Sequence, residues 1–244
     1  MAESTVEITV TTEETVEIPV PDISHLVIED DTPVDNFQSE KQQRLLVEPL
    51  YSGTVLPKPF IAAANVGLFH TARQEQIVPG VFLSLGVQMP ADWSQKRNRT
   101  YFVWEMGKVP DVAIEIVSNR VGKELEEKKD RYARLRVSYY VVFDPIEQIQ
   151  EAARMDGQRL RVFTLNGGQY IPLEPPYFLE HVALGLVLWE GMFEDQPGTW
   201  LRWCDSEGRL LPTGAERANQ ERQRAEALAA RLRELGIDPD TVSP

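Results

Sequence analysis

One acidic residue in an otherwise apolar segment, Glu115, is the strongest candidate for chemistry in this 244-residue sequence. In the segment DVAIEIV, the alternation of a β-strand places Glu115 on the same side as Ala113 and Val117. A carboxylate buried among such neighbours costs free energy unless it is paired, hydrogen-bonded or bound to a metal ion. The alternative is an edge-strand glutamate that points at water, which suits a strand that is apolar on both faces less well.

Two nearby groups are possible partners for this carboxylate. Asp111 lies on the same strand but four residues away, which is roughly 13 Å and too far for two carboxylates to share one ion. We therefore expect Asp111 to start the strand or to complete a turn. The following helix carries Glu124, Lys128 and Tyr132 four residues apart, and therefore on one face. Lys128 then either forms an ordinary surface pair with Glu124 or points back towards Glu115.

The elements that would position these residues form a strand–helix–strand unit. The segments DVAIEIV and VSYYVVFDP read as strands, and NRVGKELEEKKDRYARLR reads as the helix between them. This spacing predicts two parallel strands joined by a right-handed crossover. Upstream, DNFQSEKQQRLLVEPLY predicts a helix, and PFIAAANVGLFH and IVPGVFLSLGV predict strands. Downstream, LRVFTLNGGQYIPLE predicts a hairpin that turns at Asn166, Gly167 and Gly168.

The composition divides the chain into three parts. Residues 1–35 form an acidic arm with the near-repeat TVEITV and TVEIPV, whose alternating Val and Ile favour a pairing β-arm over a DNA mimic. Residues 36–212 form the globular domain. Residues 213–244 contain a helix rich in Ala, Glu, Arg and Leu, with Leu228, Leu232 and Leu235 along one face. The arm and this helix together predict a homo-oligomer, most simply a dimer.

Charge and cysteine content narrow the class of protein. The net charge is −13, but ten acids and no Lys or Arg lie in residues 1–39, which leaves −3 for the remainder. A near-neutral globular part neither supports nor forbids a DNA partner. The single cysteine, Cys204, excludes an internal disulfide framework and a multi-cysteine zinc site. Without a long apolar run or a secretory signal, we expect a soluble, cytoplasmic protein with no membrane partner.

The motifs around Glu115 resemble those of a bacterial family of restriction endonuclease-like proteins within the PD-(D/E)xK nucleases. The residues that carry the resemblance are PDVAIEIVSN, EKKDRYARL and VSYYVVFDP, supported upstream by SEKQQRLL, AANVGLF and PGVFLSL. The resemblance extends from about residue 35 to residue 240. It implies an α/β (α+β) fold, with a mixed central sheet flanked by helices. It also implies metal-dependent hydrolysis of DNA phosphodiesters, with Mg²⁺ or Mn²⁺ as the cofactor.

The resemblance also assigns roles to particular residues. Glu115 matches the metal-binding acid of the family, and Lys128 matches the catalytic cation on the following helix. Glu40, in the first predicted helix, is the candidate auxiliary acid. Val117 stands where the parent motif has its lysine, so only its backbone carbonyl could act as a metal ligand.

One position departs from the family pattern in a way that bears on activity. Where the family has its first metal-binding Asp after a proline, this sequence has Gly80, which can offer a cation only its backbone carbonyl. The leading hypothesis is a Mg²⁺-dependent DNA endonuclease whose metal site is impaired, or lost, because of Gly80. The alternative is a catalytically inactive nuclease-fold protein that acts as a binding or assembly module. A milder departure is Arg136, where the family usually has glycine.

Overall fold

A six-stranded mixed sheet forms the centre of the computed structural model, which describes residues 21–28, 36–119, 124–151 and 154–238. The strands in chain order are β1 (Phe60–Ala64), β2 (Leu68–Phe69), β3 (Val81–Leu85), β4 (Tyr101–Phe102), β5 (Val112–Ile116), β6 (Tyr139–Phe143), β7 (Leu160–Asn166), β8 (Gln169–Leu173), β9 (Tyr177–Leu179), β10 (Leu184–Phe193) and β11 (Gln196–Cys204). The central sheet has the order β1-β3-β5-β6-β7-β8, and β9, β10 and β11 form a second, antiparallel sheet.

Helices cover the central sheet and extend from it. They are α1 (Phe37–Ser52), α2 (Val103–Met106), α3 (Lys129–Leu135) and α4 (Gly214–Glu234). The first turn of α1 is capped by the Asn36 side chain, which accepts a hydrogen bond from the Ser39 backbone N–H. A capping box between Thr213 and Glu216 fixes the start of α4. Immediately before α3, residues Glu124–Lys128 form a π-helical turn.

The two faces of the central sheet bury separate groups of apolar side chains. One face packs against α1 and the three-stranded sheet, where Leu46, Leu50 and Trp203 meet the sheet residues Ile114 and Val141. The opposite face packs against α3 and the connection between β3 and β5. Because both faces are covered, the middle strands β5 and β6 are buried along their whole length.

The strand–helix–strand prediction is confirmed around the candidate site, although residues 120–123 of the predicted helix lie outside the described residues. Strands β5 and β6 are adjacent and parallel, with Glu115 beside Val142, and α3 lies between them in the chain. The predicted hairpin is also confirmed, since β7 and β8 pair across Gly167 and Gly168. These two residues have φ values of 58° and 93°, which glycine adopts without steric cost. The mixed sheet with flanking helices agrees with the predicted fold class.

The two predicted terminal extensions have different outcomes. Most of the acidic arm, residues 1–20 and 29–35, lies outside the described residues, so the predicted β-arm stays a prediction. Residues 21–28 contain no strand. The predicted C-terminal helix is confirmed as α4, which is exposed along most of its length after the first turn. Within the described ranges, no helix is both long and apolar enough to cross a membrane.

Candidate active site

The carboxylate of Glu115 lies near the carboxyl end of β5, in the middle of the central sheet. Its side chain is only 3% exposed. Ala113 and Val117, on the same side of the strand, belong to the apolar face that packs against α3. Glu115 is therefore a buried acid in an apolar environment, as the alternation in the sequence predicts, and not an edge-strand residue that faces water.

Both oxygens of this carboxylate accept hydrogen bonds from the helical segment that follows β5. The Lys128 Nζ donates to Oε2 at 2.9 Å, and the Tyr132 hydroxyl donates to Oε1 at 2.8 Å. Lys128 ends the π-helical turn and Tyr132 lies in the first turn of α3, so their four-residue spacing brings both side chains to one acid. Of the two alternatives for Lys128, the structure shows the contact with Glu115.

The tyrosine in this group is a fixed hydrogen-bond donor. Tyr132 is completely buried, and burial, followed by the negative charge of Glu115, raises the pKa of its hydroxyl well above the usual 10.0. The hydroxyl therefore keeps its proton at physiological pH. The Tyr132 hydroxyl orients the Glu115 carboxylate. The side chain of Lys128, which is 31% exposed, holds its ammonium group at the more open side of the site.

Gly80 lies directly across the sheet from Glu115. Strands β3 and β5 are antiparallel with Val81 opposite Ile114, so one further residue brings Gly80 opposite Glu115. A Cβ atom added at Gly80 would lie 3.1 Å from the Ile114 carbonyl oxygen and 3.3 Å from the Ile116 nitrogen. The same Cβ would lie 3.7 Å from the Ile116 Cδ1, so an acid at position 80 would start beside the Ile114–Ile116 backbone that flanks Glu115, close to where the resemblance implies a second carboxylate ligand.

The other acid predicted for the site, Glu40, lies elsewhere. It is in the first turn of α1, where its carboxylate bonds to Arg44, and Arg44 bonds in turn to Glu194 in the turn between β10 and β11. This surface network lowers the pKa of Glu194 to about 2, chiefly through the hydrogen bond from Arg44. The structure does not bring Glu40 into contact with Glu115.

A different residue of α1 approaches this edge of the sheet. Gln43 is buried, and its Oε1 accepts a hydrogen bond of 3.0 Å from the side-chain amide of Asn65. The Asn65 backbone N–H donates to the carbonyl oxygen of Gly80 at 3.3 Å. Sequence reasoning missed this pair. The available signal was the helical spacing of Gln43 with Leu46 and Leu50, which places an amide on the apolar stripe of α1.

The remaining candidate positions are structural neighbours of the site. Val117 is buried in the apolar layer, and its backbone carbonyl accepts a 3.5 Å contact from the Gln148 side chain. Asp111 directly precedes β5, at the end of the strand far from Glu115. Its carboxylate accepts hydrogen bonds from the Leu85 backbone N–H and from Lys108, in agreement with a turn or strand-start role.

Glu115 supplies one carboxylate, the kind of oxygen ligand that Mg²⁺ prefers in proteins. Among the described residues, no three His, Cys, Asp or Glu side chains gather as metal ligands. Mg²⁺ is commonly held by one or two carboxylates together with water and substrate phosphates. An ionised carboxylate offers about four lone-pair positions, and Lys128 and Tyr132 each donate to one of the two Glu115 oxygens. One carboxylate plus a substrate phosphate fits this ion, with weaker retention than two carboxylates would give.

The buried acid on a central strand, the lysine of the next helix and the mixed sheet together define a restriction endonuclease-like fold. The chain belongs to the Uma2 family, described as "Putative restriction endonuclease", whose family model matches residues 27–190. The matched region includes Gly80, Glu115 and Lys128. Among curated proteins, none matches this chain.

Proposed function

We propose that this protein is an endonuclease that hydrolyses DNA phosphodiesters with Glu115 and Lys128, and that Gly80 weakens its hold on the metal ion. The observation that carries the proposal is the contact between the buried Glu115 carboxylate and the Lys128 ammonium group at 2.9 Å. Burying an acid beside a partly exposed cation costs desolvation free energy, so a contribution to stability does not by itself explain the pair. Such pairs are characteristic of sites where charge develops during a reaction.

Each residue of the group has a distinct task at the scissile phosphate. Lys128 supplies a positive charge that attracts the phosphate and offsets the negative charge that grows on it during attack by water. Tyr132 holds one oxygen of Glu115, which fixes the direction of the carboxylate. When bound, Mg²⁺ or Mn²⁺ would supply activation of water and neutralisation of phosphate charge, with Glu115 as its protein carboxylate.

A cleavage assay with matched variants tests this proposal. Supercoiled plasmid and single-stranded DNA are incubated with the protein over a series of Mg²⁺ and Mn²⁺ concentrations. We expect Glu115→Gln and Lys128→Met each to lower the cleavage rate by about 100-fold, the order of magnitude for removing one preorganised charged group. The control is Glu126→Gln, which changes an exposed acid of the same helical segment. Equal rates for Glu115→Gln and Glu126→Gln would contradict the proposed site.

Restoring the acid at position 80 tests the role of Gly80. We expect Gly80→Asp to lower the metal concentration for half-maximal cleavage by at least about tenfold, because a second carboxylate is then introduced beside the segment of β5 that carries Glu115. The new Cβ needs a small shift of β3 away from the Ile114 carbonyl. Gly80→Asn imposes the same shift without the charge and should leave the metal dependence unchanged. An equal response of the two variants would show that geometry, not charge, limits metal binding.

A second candidate function is that of an inactive nuclease-fold protein that acts as an assembly module, and the exposed α4 favours it. Leu228 and Leu235 on this helix are 58% and 63% exposed. We propose that α4, together with the acidic arm, joins two copies of the chain. Changing both leucines to Glu should then halve the mass measured by light scattering. Changing Gln220 and Gln223 to Glu adds the same charge away from that stripe and should leave the mass unchanged.

A further inference from the structure

A pocket of about 380 Å³ opens on the sheet face that carries Glu115. Its floor consists of Ile61, Ala63 and Phe82, from strands β1 and β3. Its walls come from the connection between β3 and β5 and include Met89, Trp93 and Met106. The volume lies within the range of small-molecule sites, and the predominantly apolar lining is typical of them.

The pocket lies close to the proposed catalytic group. Phe82 pairs with Ala113, which is two residues before Glu115 on the same side of β5. Strand spacing therefore places the Phe82 backbone roughly 8 Å from that of Glu115. Val66, another lining residue, follows Asn65, which bonds to Gly80. This separation is comparable to the distance between the base and the phosphate of one nucleotide.

The mouth of the pocket combines an aromatic ring with polar and cationic groups. Trp93 is 62% exposed, although its ring N–H donates to the Pro90 carbonyl and holds the indole in place. Asn98 and the exposed Arg99 also line the pocket. An exposed, oriented aromatic ring provides a stacking surface for a base.

From these observations we propose that the pocket receives one unstacked nucleobase of the nucleic acid strand whose phosphate lies at Glu115 and Lys128. The inference rests on the proposed function for the identity of the ligand. An apolar floor and an exposed Trp accept the π-face of any base, whereas Asn98, whose side-chain nitrogen donates to the Asp92 carbonyl at 2.7 Å, presents its side-chain oxygen as an acceptor for the polar edge. The protein would then prefer single-stranded or locally opened DNA, because a base within a duplex cannot reach the floor.

An abasic scan measures base insertion directly. Fluorescently labelled single-stranded oligonucleotides, each with one base removed at a successive position, are titrated with the full-length chain in the presence of a metal chelator. We expect one position at which base removal weakens binding by about tenfold, as for loss of one base–aromatic stack. Trp93→Ala should weaken binding of the intact strand by a similar factor and should abolish the further effect of base removal.

The controls separate this inference from the proposed cleavage activity. Phe37→Ala removes an exposed aromatic ring from α1, outside the pocket, and should leave the scan unchanged. Additive effects of Trp93→Ala and base removal, or no sensitive position, would overturn the base pocket even if DNA is cleaved. The base pocket would also be overturned if an apolar peptide, but not the oligonucleotide, protected the fluorescence of Trp93 from a soluble quencher. A sensitive position without any cleavage would keep the pocket and refute the proposed endonuclease.

Discussion

A buried carboxylate lies at each end of β5. The hydrogen-bond donors around the two carboxylates differ, which indicates a structural role for one and a catalytic role for the other. Asp111 accepts hydrogen bonds from the Leu85 backbone N–H, from Lys108 on both oxygens, and from His181 at 3.1 Å. Glu115 accepts hydrogen bonds from Lys128 and Tyr132 of one helical segment, and Gly80 lies across from it, next to β3. Both acids are less than 5% exposed.

The identity of the donors explains why we expect a structural role for Asp111 and a catalytic role for Glu115. At Asp111 a backbone amide and two side chains from separate segments tie the loop before β5 to neighbouring elements. At Glu115 the Lys128 and Tyr132 donors are both side chains of one helical segment, so a rearrangement of that segment would release both hydrogen bonds together. Burial of an acid is thus insufficient evidence for catalysis, and the nature of its partners distinguishes the two cases.

The comparison is tested most strongly by changing both acids to their amides. Each oxygen of Asp111 accepts from donors. In the Asp111→Asn variant, the NH2 group of the side-chain amide therefore meets another donor in either orientation. We expect a loss of about 3 kcal/mol in the free energy of unfolding. In Glu115→Gln the amide can donate to the Tyr132 oxygen and accept from Lys128, and we expect a loss of about 1 kcal/mol. Urea unfolding followed by fluorescence measures both, and equal losses would remove the distinction.

A second test concerns the donor that orients Glu115. Tyr132→Phe should cost about 1 kcal/mol at neutral pH through the lost hydrogen bond. Burial raises the pKa of Tyr132 above 10.0, so its stabilising contribution is present below pH 10 and is lost as pH rises towards the folded-state pKa. The variant should therefore lose stability less steeply than wild type above pH 10, by up to about 1.4 kcal/mol per pH unit. Parallel pH curves for the two proteins would contradict this expectation.

The smallest effect is expected at the outer edge of the Asp111 group. His181 is 60% exposed, and the carboxylate keeps its bonds from Leu85 and Lys108 when the ring is absent. We expect His181→Ala to change the free energy of unfolding by about 0.5 kcal/mol, in the range of exposed pairs. A loss as large as that of Asp111→Asn would mean that His181, and not the backbone contact, holds this end of the strand.

Much of the fold near the site followed from local sequence patterns. The alternation in DVAIEIV predicts β5 and the direction of Glu115, and the turn residues Gly167 and Gly168 predict the β7–β8 hairpin. The four-residue spacing of Lys128 and Tyr132 predicts a shared helix face. Spacing within a helix does not determine how that helix packs against a sheet. The sequence alone therefore does not decide between Glu124 and Glu115 as the partner of Lys128.

Local sequence patterns do not predict contacts between segments that are far apart in the chain. Glu40 and Gln43 are one turn apart on α1, and both are polar, so composition could not decide which approaches the sheet edge. Packing decided it: Leu46 and Leu50 direct one stripe of α1 towards the core, Gln43 lies on that stripe, and Glu40 points to solvent beside Arg44. The pocket beneath Trp93 likewise depends on how the connection between β3 and β5 folds back over the sheet.

The sequence by itself determined the residue types, the strand and helix periods and the loss of an acid at position 80, because these depend on near neighbours in the chain. Only the tertiary structure decided that Gly80 lies across from Glu115, that Lys128 and Tyr132 donate to its two oxygens, and that Asp111 accepts from Lys108 and a backbone amide. The physical reason is that strand register and helix docking are set by burial of apolar side chains from segments far apart in the chain.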